Sequence, residues 1–206
     1  MIQEFKDGGD IMWFLLICAV MGIALSIERA YTLTFRLRLN VKRFGQELMD
    51  TIGKNGVKAG IEMCNSTKSP AARVLAAALE KVDMGKGVVE DAIVRTGASE
   101  LAFLDRGMAL ISGLTTVAPF FGFLGTVTGM IGAFKAVAAV GEVEATVVAS
   151  GIAEALITTK WGLIVAAPLS IFYILFSTRV SSYLRDMETA SGELIDFLMA
   201  RGLLKE

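Results

Sequence analysis

MALISGLTTVAPFFGFLGTVTGMIGAF, residues 108–134, is 27 residues without a charged side chain. An α-helix needs about 20 apolar residues to cross the hydrocarbon of a bilayer, so this run can span with some tilt. Two other segments share its character. IMWFLLICAVMGIALSI, residues 11–27, is uncharged and bounded by Asp10 and by Glu28 and Arg29. Residues 151–177 open with GIAEALITTKWGLIVAAP, where Glu154 and Lys160 are the only charges. The pattern predicts an all-α integral membrane protein with three transmembrane helices, at 11–27, 107–134 and 151–177. The remainder divides into an N-terminus at 1–10, a helical region at 28–106, a loop at 135–150 and an amphipathic C-terminal helix at 178–206 that extends the third span into water.

The composition agrees. Over 206 residues the chain is 54% hydrophobic with a mean hydropathy of +0.60, too apolar for an ordinary soluble domain. A net charge of -1 and the lack of any basic domain argue against a nucleic-acid partner. The chain has no histidine, and its two cysteines, Cys18 and Cys64, make neither a metal motif nor a disulfide framework. GFLGTVTG lacks the Lys-Ser/Thr ending of a phosphate loop. The expectation is a protein that is not an enzyme and needs neither metal nor cofactor.

The first span is read as a retained signal anchor. Glu4, Asp7 and Asp10 against a single Lys6 reverse the charge of a signal peptide's leading segment. Residues 28–106 carry 13 Lys/Arg against 10 Asp/Glu and read as helices. Ser69 followed by Pro70 is an N-cap with proline at N1, Gly85 and Gly87 break that helix, and a new one starts near Val88. No proline or turn cluster intervenes before Met108, so one continuous helix is expected to rise from Val88 into the second span. Arg29, Arg36, Arg38, Lys42, Arg43, Arg95, Arg106, Arg179 and Arg185 flank the spans on one side, against Lys6 and Lys135 on the other. The positive-inside rule then puts the N-terminus and the 135–150 loop outside, and 28–106 and the C-terminal helix in the cytoplasm.

Helices in lipid associate through small residues that let backbones approach. Thr115, Pro119, Gly122, Thr126, Gly129 and Ala133 recur at spacings of three and four, Gly125 and Gly129 form a GxxxG pair, and Gly151, Ala155, Thr159, Gly162, Ala166 and Ser170 make a similar stripe on the third span. Two readings stay open on the residues alone. The stripes pack helix on helix, with hydroxyls bonded to their own backbone, or they face water, ions or a moving partner.

APFFGFLGTVTGMIGAF and GIAEALITTKWGLIVAAP together resemble the MotA/TolQ/ExbB proton-channel family, whose motifs read like A-P-x-x-G-L-x-G-T-V-x-G-M and G-I-x-E-A-L-x-x-T-x-x-G-L. The motif match covers residues 110–168, and three spans with one compact cytoplasmic region look most like the ExbB/TolQ branch. The resemblance implies a stator subunit of a motor in the bacterial inner membrane, a homo-oligomeric ring, typically of five copies, around the helices of an ExbD/TolR-like single-span partner, driven by proton flow and acting on a TonB/TolA-like transducer. It also implies that Thr126, Glu154 and Thr159 line the ion pathway. Thr115 and Thr158 are further candidate pore hydroxyls, and Pro119, Gly122, Gly125, Gly129, Gly162 and Pro168 are helix-packing positions. Lys160 departs from the family pattern: it is expected either to snorkel toward the outer interface beside Trp161 or to meet an acid on another subunit or the partner. Asp10, Glu28, Asp105 and Glu154 all lie at span edges, so an acid near the midplane is expected to come from the partner. A membrane scaffold and a small-solute transporter subunit are the alternatives, the latter lacking an inverted repeat. Nutrient uptake, envelope maintenance and motility are all open as the process powered.

Overall fold

The computed structural model describes residues 2–140 and 145–205, apart from the side chains of residues 2, 3, 140, 145 and 147. Its elements are α1 (Ile2–Asp7), α2 (Ile11–Arg36), α3 (Val41–Asn55), α4 (Val57–Ser66), α5 (Pro70–Leu79), a 3-10 turn (Val82–Met84), α6 (Lys86–Leu104), α7 (Met108–Val140) and α8 (Ala145–Ala200). There is no strand among the described residues. Among the described residues, α2, α7 and α8 are the three helices long and apolar enough to cross a membrane. The chain forms two compact units, one from Met1–Arg29 with Gly107–Leu175, the other from Ala30–Arg106 with Phe176–Glu206.

The first unit packs the apolar part of α2 against α7 and α8. Met12, Leu15 and Cys18 of α2 bury against Ala118 of α7 and Ala166 of α8, and the Phe14 and Phe121 rings stack at 5.4 Å. Gly22 leaves room for Leu169, since a Cβ there would lie 2.5 Å from its Cδ1. Pro119 and Pro168 sit inside α7 and α8 without ending them, as prolines in membrane helices commonly do. Large apolar side chains such as Trp13, Phe120, Phe123, Leu156 and Ile171 point outward, the exterior that lipid rather than water accommodates.

The second unit is built around α5. Eight of its ten residues are buried, Pro70 to Ala72, Val74 to Ala76, Ala78 and Leu79, so this helix is apolar nearly all round, as a central helix must be. Phe44, Leu48 and Ile52 of α3, Cys64 of α4 and Leu194 and Leu198 of α8 pack on one part of it. Leu33 of α2, Leu37 in the turn that follows it, and Val180, Tyr183 and Met187 of α8 join Ala71 and Val74 on another. Asn40 caps α3 by accepting a hydrogen bond from the Arg43 N–H at 3.1 Å. At the other end of the unit the Lys86 N–H, at the start of α6, donates to the Lys205 carbonyl at 2.9 Å, while Leu204 folds back into the core.

Three local expectations change. The helix expected to run unbroken from Val88 into the second span stops at Leu104, and α7 begins at Met108 after Gly107, whose φ of +81° is left-handed. The Asp105-Arg106-Gly107 sequence is the stop signal, glycine being the residue that takes this conformation at a helix end without a Cβ penalty. Gly87, expected to break the chain, lies inside α6, and Gly85, at φ +96°, makes the turn alone. The 135–150 connection is also shorter than the sequence suggests: α7 continues through Lys135 to Val140 and α8 starts at Ala145, with 141–144 outside the described residues.

Helix α5 does begin at Pro70 after Ser69, but Ser69 does not cap it in the usual way. Its hydroxyl pairs with the Tyr183 hydroxyl at 2.6 Å, and that same phenol oxygen accepts the Ala71 N–H at 3.4 Å. A side chain from α8 thus supplies the cap of α5. Burial raises the Tyr183 phenol above its ordinary value, so it stays neutral and able to donate. Tyr183→Phe keeps the ring and leaves the buried Ser69 hydroxyl and Ala71 N–H without this partner. The expected cost is about 1–3 kcal/mol, read as a lower thermal unfolding temperature of the detergent-purified chain by circular dichroism; an unchanged temperature would remove the cap from the account.

Candidate functional site

The two small-residue stripes meet each other. A Cβ on Gly162 would stand 2.8 Å from the Ala118 carbonyl oxygen and 3.1 Å from the Gly122 Cα, and one on Gly151 would stand 2.5 Å from the Ala133 Cβ. Gly122 and Gly129 are as tightly faced, by the Thr158 carbonyl oxygen at 2.9 Å and the Gly151 carbonyl oxygen at 3.1 Å. Helices α7 and α8 therefore touch backbone to backbone along the seam, the approach that residues without side chains permit.

Three threonines stand in this seam. Thr158 is buried, its hydroxyl donating to the Ala155 carbonyl at 2.8 Å with the Gly122 carbonyl at 3.3 Å, and Gly125 is the residue that makes room for it. The structure thus sets Thr158 inside the packed seam. Thr126 and Thr159 are half-buried, and their hydroxyls hydrogen-bond to each other across the two helices. The Thr126 hydroxyl also reaches the Ala155 carbonyl at 3.2 Å and its own helix at Gly122 at 3.3 Å, and the Thr159 hydroxyl reaches the Gly122 carbonyl at 3.2 Å.

Each hydroxyl carries one proton and two lone pairs, so this set has two orders. Either Thr126 donates to Thr159, which donates to Gly122, or Thr159 donates to Thr126, which donates to Ala155 or to Gly122. The direction of the pair can reverse with no heavy atom moving far, but neither hydroxyl can hold a net proton near neutral pH.

Glu154 is five residues before Thr159, about 7.5 Å along the helix axis. It lines a cavity of roughly 680 Å3 with Asp10, Thr128, Gly129, Gly132, Thr146 and Ser150. Gly9, at φ +65°, is pressed against it: a Cβ there would lie 2.5 Å from the carboxylate Oε1. Thr115 is apart from this group, half-buried on α7 with its hydroxyl donating to the Ser112 carbonyl at 2.7 Å. No group of three or more metal-ligating side chains occurs among the described residues.

Lys160 has a partner that neither expectation named. Its ammonium forms an ion pair with Glu4, on α1 of the same chain, and Glu154 is not involved. The Lys160 hydrogen bond holds the Glu4 carboxyl below the usual carboxylate range. A pairing across 156 residues leaves no local pattern to read; the one hint was the Gly8-Gly9 doublet, a turn signal that lets α1 fold back toward α8.

The family model of the MotA/TolQ/ExbB proton channel family matches residues 66–189. The ExbB-like 1 biopolymer transport protein of Synechocystis sp. is 31% identical over 202 residues, 96% of this chain and 78% of its own length. The biopolymer transport protein exbB1 of Vibrio cholerae is 30% identical over 171 residues, 81% of this chain and 75% of that one. Biopolymer transport protein ExbB of Salmonella typhimurium is 29% identical over 147 residues, 67% of this chain and 60% of that one.

A carboxylate with a depressed pKa contributes its pairing above its unfolded value and loses it as pH falls through the folded one. Glu4→Gln should therefore lower the hydrogen-exchange protection of α1 amides at neutral pH. The wild-type chain should lose the same protection only below the ordinary value of 4.5. Equal protection in wild type and variant at pH 7 would mean that the pair does not hold α1.

Proposed function

The chain belongs to the MotA/TolQ/ExbB proton channel family, and from that premise we propose that it is the ExbB/TolQ-like stator subunit of a motor driven by the proton-motive force. It forms a ring, of five copies by the family pattern, in the bacterial inner membrane around an ExbD/TolR-like single-span partner. Proton flow through that assembly is coupled to mechanical work, passed to a TonB/TolA-like transducer for transport or envelope processes. The observation that carries the reading is the hydroxyl pair of Thr126 and Thr159. It is a reversible hydrogen-bond link between two membrane helices, with the Glu154 cavity beside it on the outer side. Glu154 attracts cations at the mouth, and the hydroxyls pass a hydrogen bond inward.

The link has no ionisable group, so the proton needs an acid from elsewhere. The partner supplies it, as an Asp or Glu on its membrane helix set against the Thr126 and Thr159 faces. A second reading also has support: both hydroxyls bond to backbone carbonyls of α7 and α8, as in a scaffold whose threonines only lock α7 to α8.

One experiment separates the two. Proteoliposomes holding the chain alone should take up no protons above protein-free controls, and those with the partner should. In that complex Thr126→Val with Thr159→Val should cut flux by about tenfold or more, a factor equivalent to one lost hydrogen bond of ~1.4 kcal/mol, with assembly unchanged. Full flux from the double variant supports the scaffold reading, and flux through the chain alone removes the need for the partner's acid.

The proposed orientation has the N-terminus outside and the C-terminus in the cytoplasm. Cys64 is a poor reporter for it, being buried with its thiol pushed up to about 12 by that burial. Exposed positions serve instead. A membrane-impermeant thiol reagent on intact spheroplasts should label Lys135→Cys and spare Lys58→Cys until the membrane is opened; the reverse pattern would invert the topology.

A further inference from the structure

A cavity of roughly 640 Å3 lies in the second unit, lined by Phe35, Arg36, Cys64, Asn65, Thr67, Lys68 and Arg73. This volume is in the range of small-molecule sites. Its charge is one-sided: an ammonium and two guanidiniums, and no carboxylate in the lining. The cations come from three places in the sequence. Arg36 is the last residue of α2, Lys68 stands between α4 and α5, and Arg73 is on α5.

Two of the three are held in position. The Arg36 guanidinium lies 5.0 Å over the Phe103 ring, and Arg73 donates one N–H to Glu100 at 2.8 Å. A guanidinium has five N–H groups, so both keep donors for a ligand. Lys68 is exposed, and so is Asn65, whose side-chain amide can donate as well. The Thr67 hydroxyl is taken by the Met63 carbonyl at 3.0 Å and contributes only lone pairs.

The cavity is at the end of a membrane helix. Tyr31 and Phe35, with rings 4.5 Å apart, are exposed by 65% and 57% on the last turns of α2. Exposed aromatic pairs at a span end sit at the level of the lipid headgroups. The Lys/Arg-rich flank of the first span follows at once, and basic pockets at that level take anionic headgroups.

We propose that this cavity binds a phosphate group, and that the Phe35 ring in its lining, with the exposed Tyr31 ring beside it, favours the phosphodiester of an anionic phospholipid as its source over a soluble phosphate compound. Arg36 and Lys68 are the ligand-facing cations, with Arg73 oriented by Glu100 as the third. The inference does not depend on the ion pathway, because no residue of that pathway takes part.

Native mass spectrometry of the full chain in detergent, with dioleoyl phosphatidylglycerol or phosphatidylcholine added, tests the lipid. Thermal unfolding with sodium phosphate tests the soluble source. The anionic lipid should be retained in preference to phosphatidylcholine, and Arg36→Gln and Lys68→Gln should each weaken retention about fivefold, the usual effect of one cation at an anionic surface. Arg36→Lys should restore part of it, and Lys58→Gln, which removes a cation outside the cavity, should change nothing. Circular dichroism confirms that each variant is folded. Phosphate that stabilises the wild type but not Arg36→Gln/Lys68→Gln, with no preference between lipids, would overturn the lipid source and assign the cavity to a soluble compound. Equal retention of both lipids with no effect of phosphate, or retention unaffected by the Gln variants, would overturn the site.

Discussion

The contact on which the first unit depends is the bare approach of α7 to α8. Within hydrocarbon there is no water to expel, so side-chain burial gives little drive for two helices to associate. What remains is close packing and hydrogen bonding, and both need the backbones near each other. Gly122, Gly129, Gly151 and Gly162 provide that nearness, with the facing helix's backbone or Cβ about where their own Cβ would be. The threonine bonds follow from it. A hydroxyl on a one-carbon stem reaches across to the Ala155 or Gly122 carbonyl only because the helices are this close. Packing and polar linkage are therefore one arrangement, which is why the stripe alone could be read either way.

Much of this was legible in the residues. The spacing of small residues identified the faces of α7 and α8, and the absence of charge from residues 108–134 identified a span without further argument. The helix start at Ser69 and Pro70 was found in place, yet its cap comes from Tyr183, which is 114 residues away from Ser69 and so was not readable. The same holds for Lys160 and Glu4. Local rules find helix ends and faces; they are silent on which distant side chain meets an exposed polar group. The break at Gly107 is a different case. Its signal was present, a glycine after two charged residues, and was outweighed by the lack of proline and of a turn cluster. Thr158 shows a finer limit: it neighbours Thr159 in sequence, but one position is 100° of helix, enough to move it from a half-open face into the seam.

Charge is distributed by the same economy. The spans keep their acids at the edges, and the one cation set within a span has an acid from α1 beside it. Lysine in a membrane helix costs about 2.5–3.5 kcal/mol at the centre on insertion scales and less near an end, so a partner that accompanies it is a requirement of the fold whatever else it does. The charged side chains that remain are concentrated in the second unit, where Arg73 with Glu100 and Lys42 with Asp186 are ordinary surface pairs, worth little individually.

The division of each unit between distant stretches of sequence has a consequence for the order of synthesis. The core around α5 contains Leu194, Leu198 and Leu204 along with residues of α3 and α4. A ribosome makes α3 to α6 first, then two membrane helices, and only then the part of α8 that closes this core. Until then, the apolar sides of Leu48, Leu75 and Leu79 stay open to solvent on a chain still being inserted. The nascent protein has to hold an unfinished core for about ninety residues, roughly 4.5–18 seconds at ordinary elongation rates, a window in which a chaperone or a protease has access to it that it loses once α8 is in place.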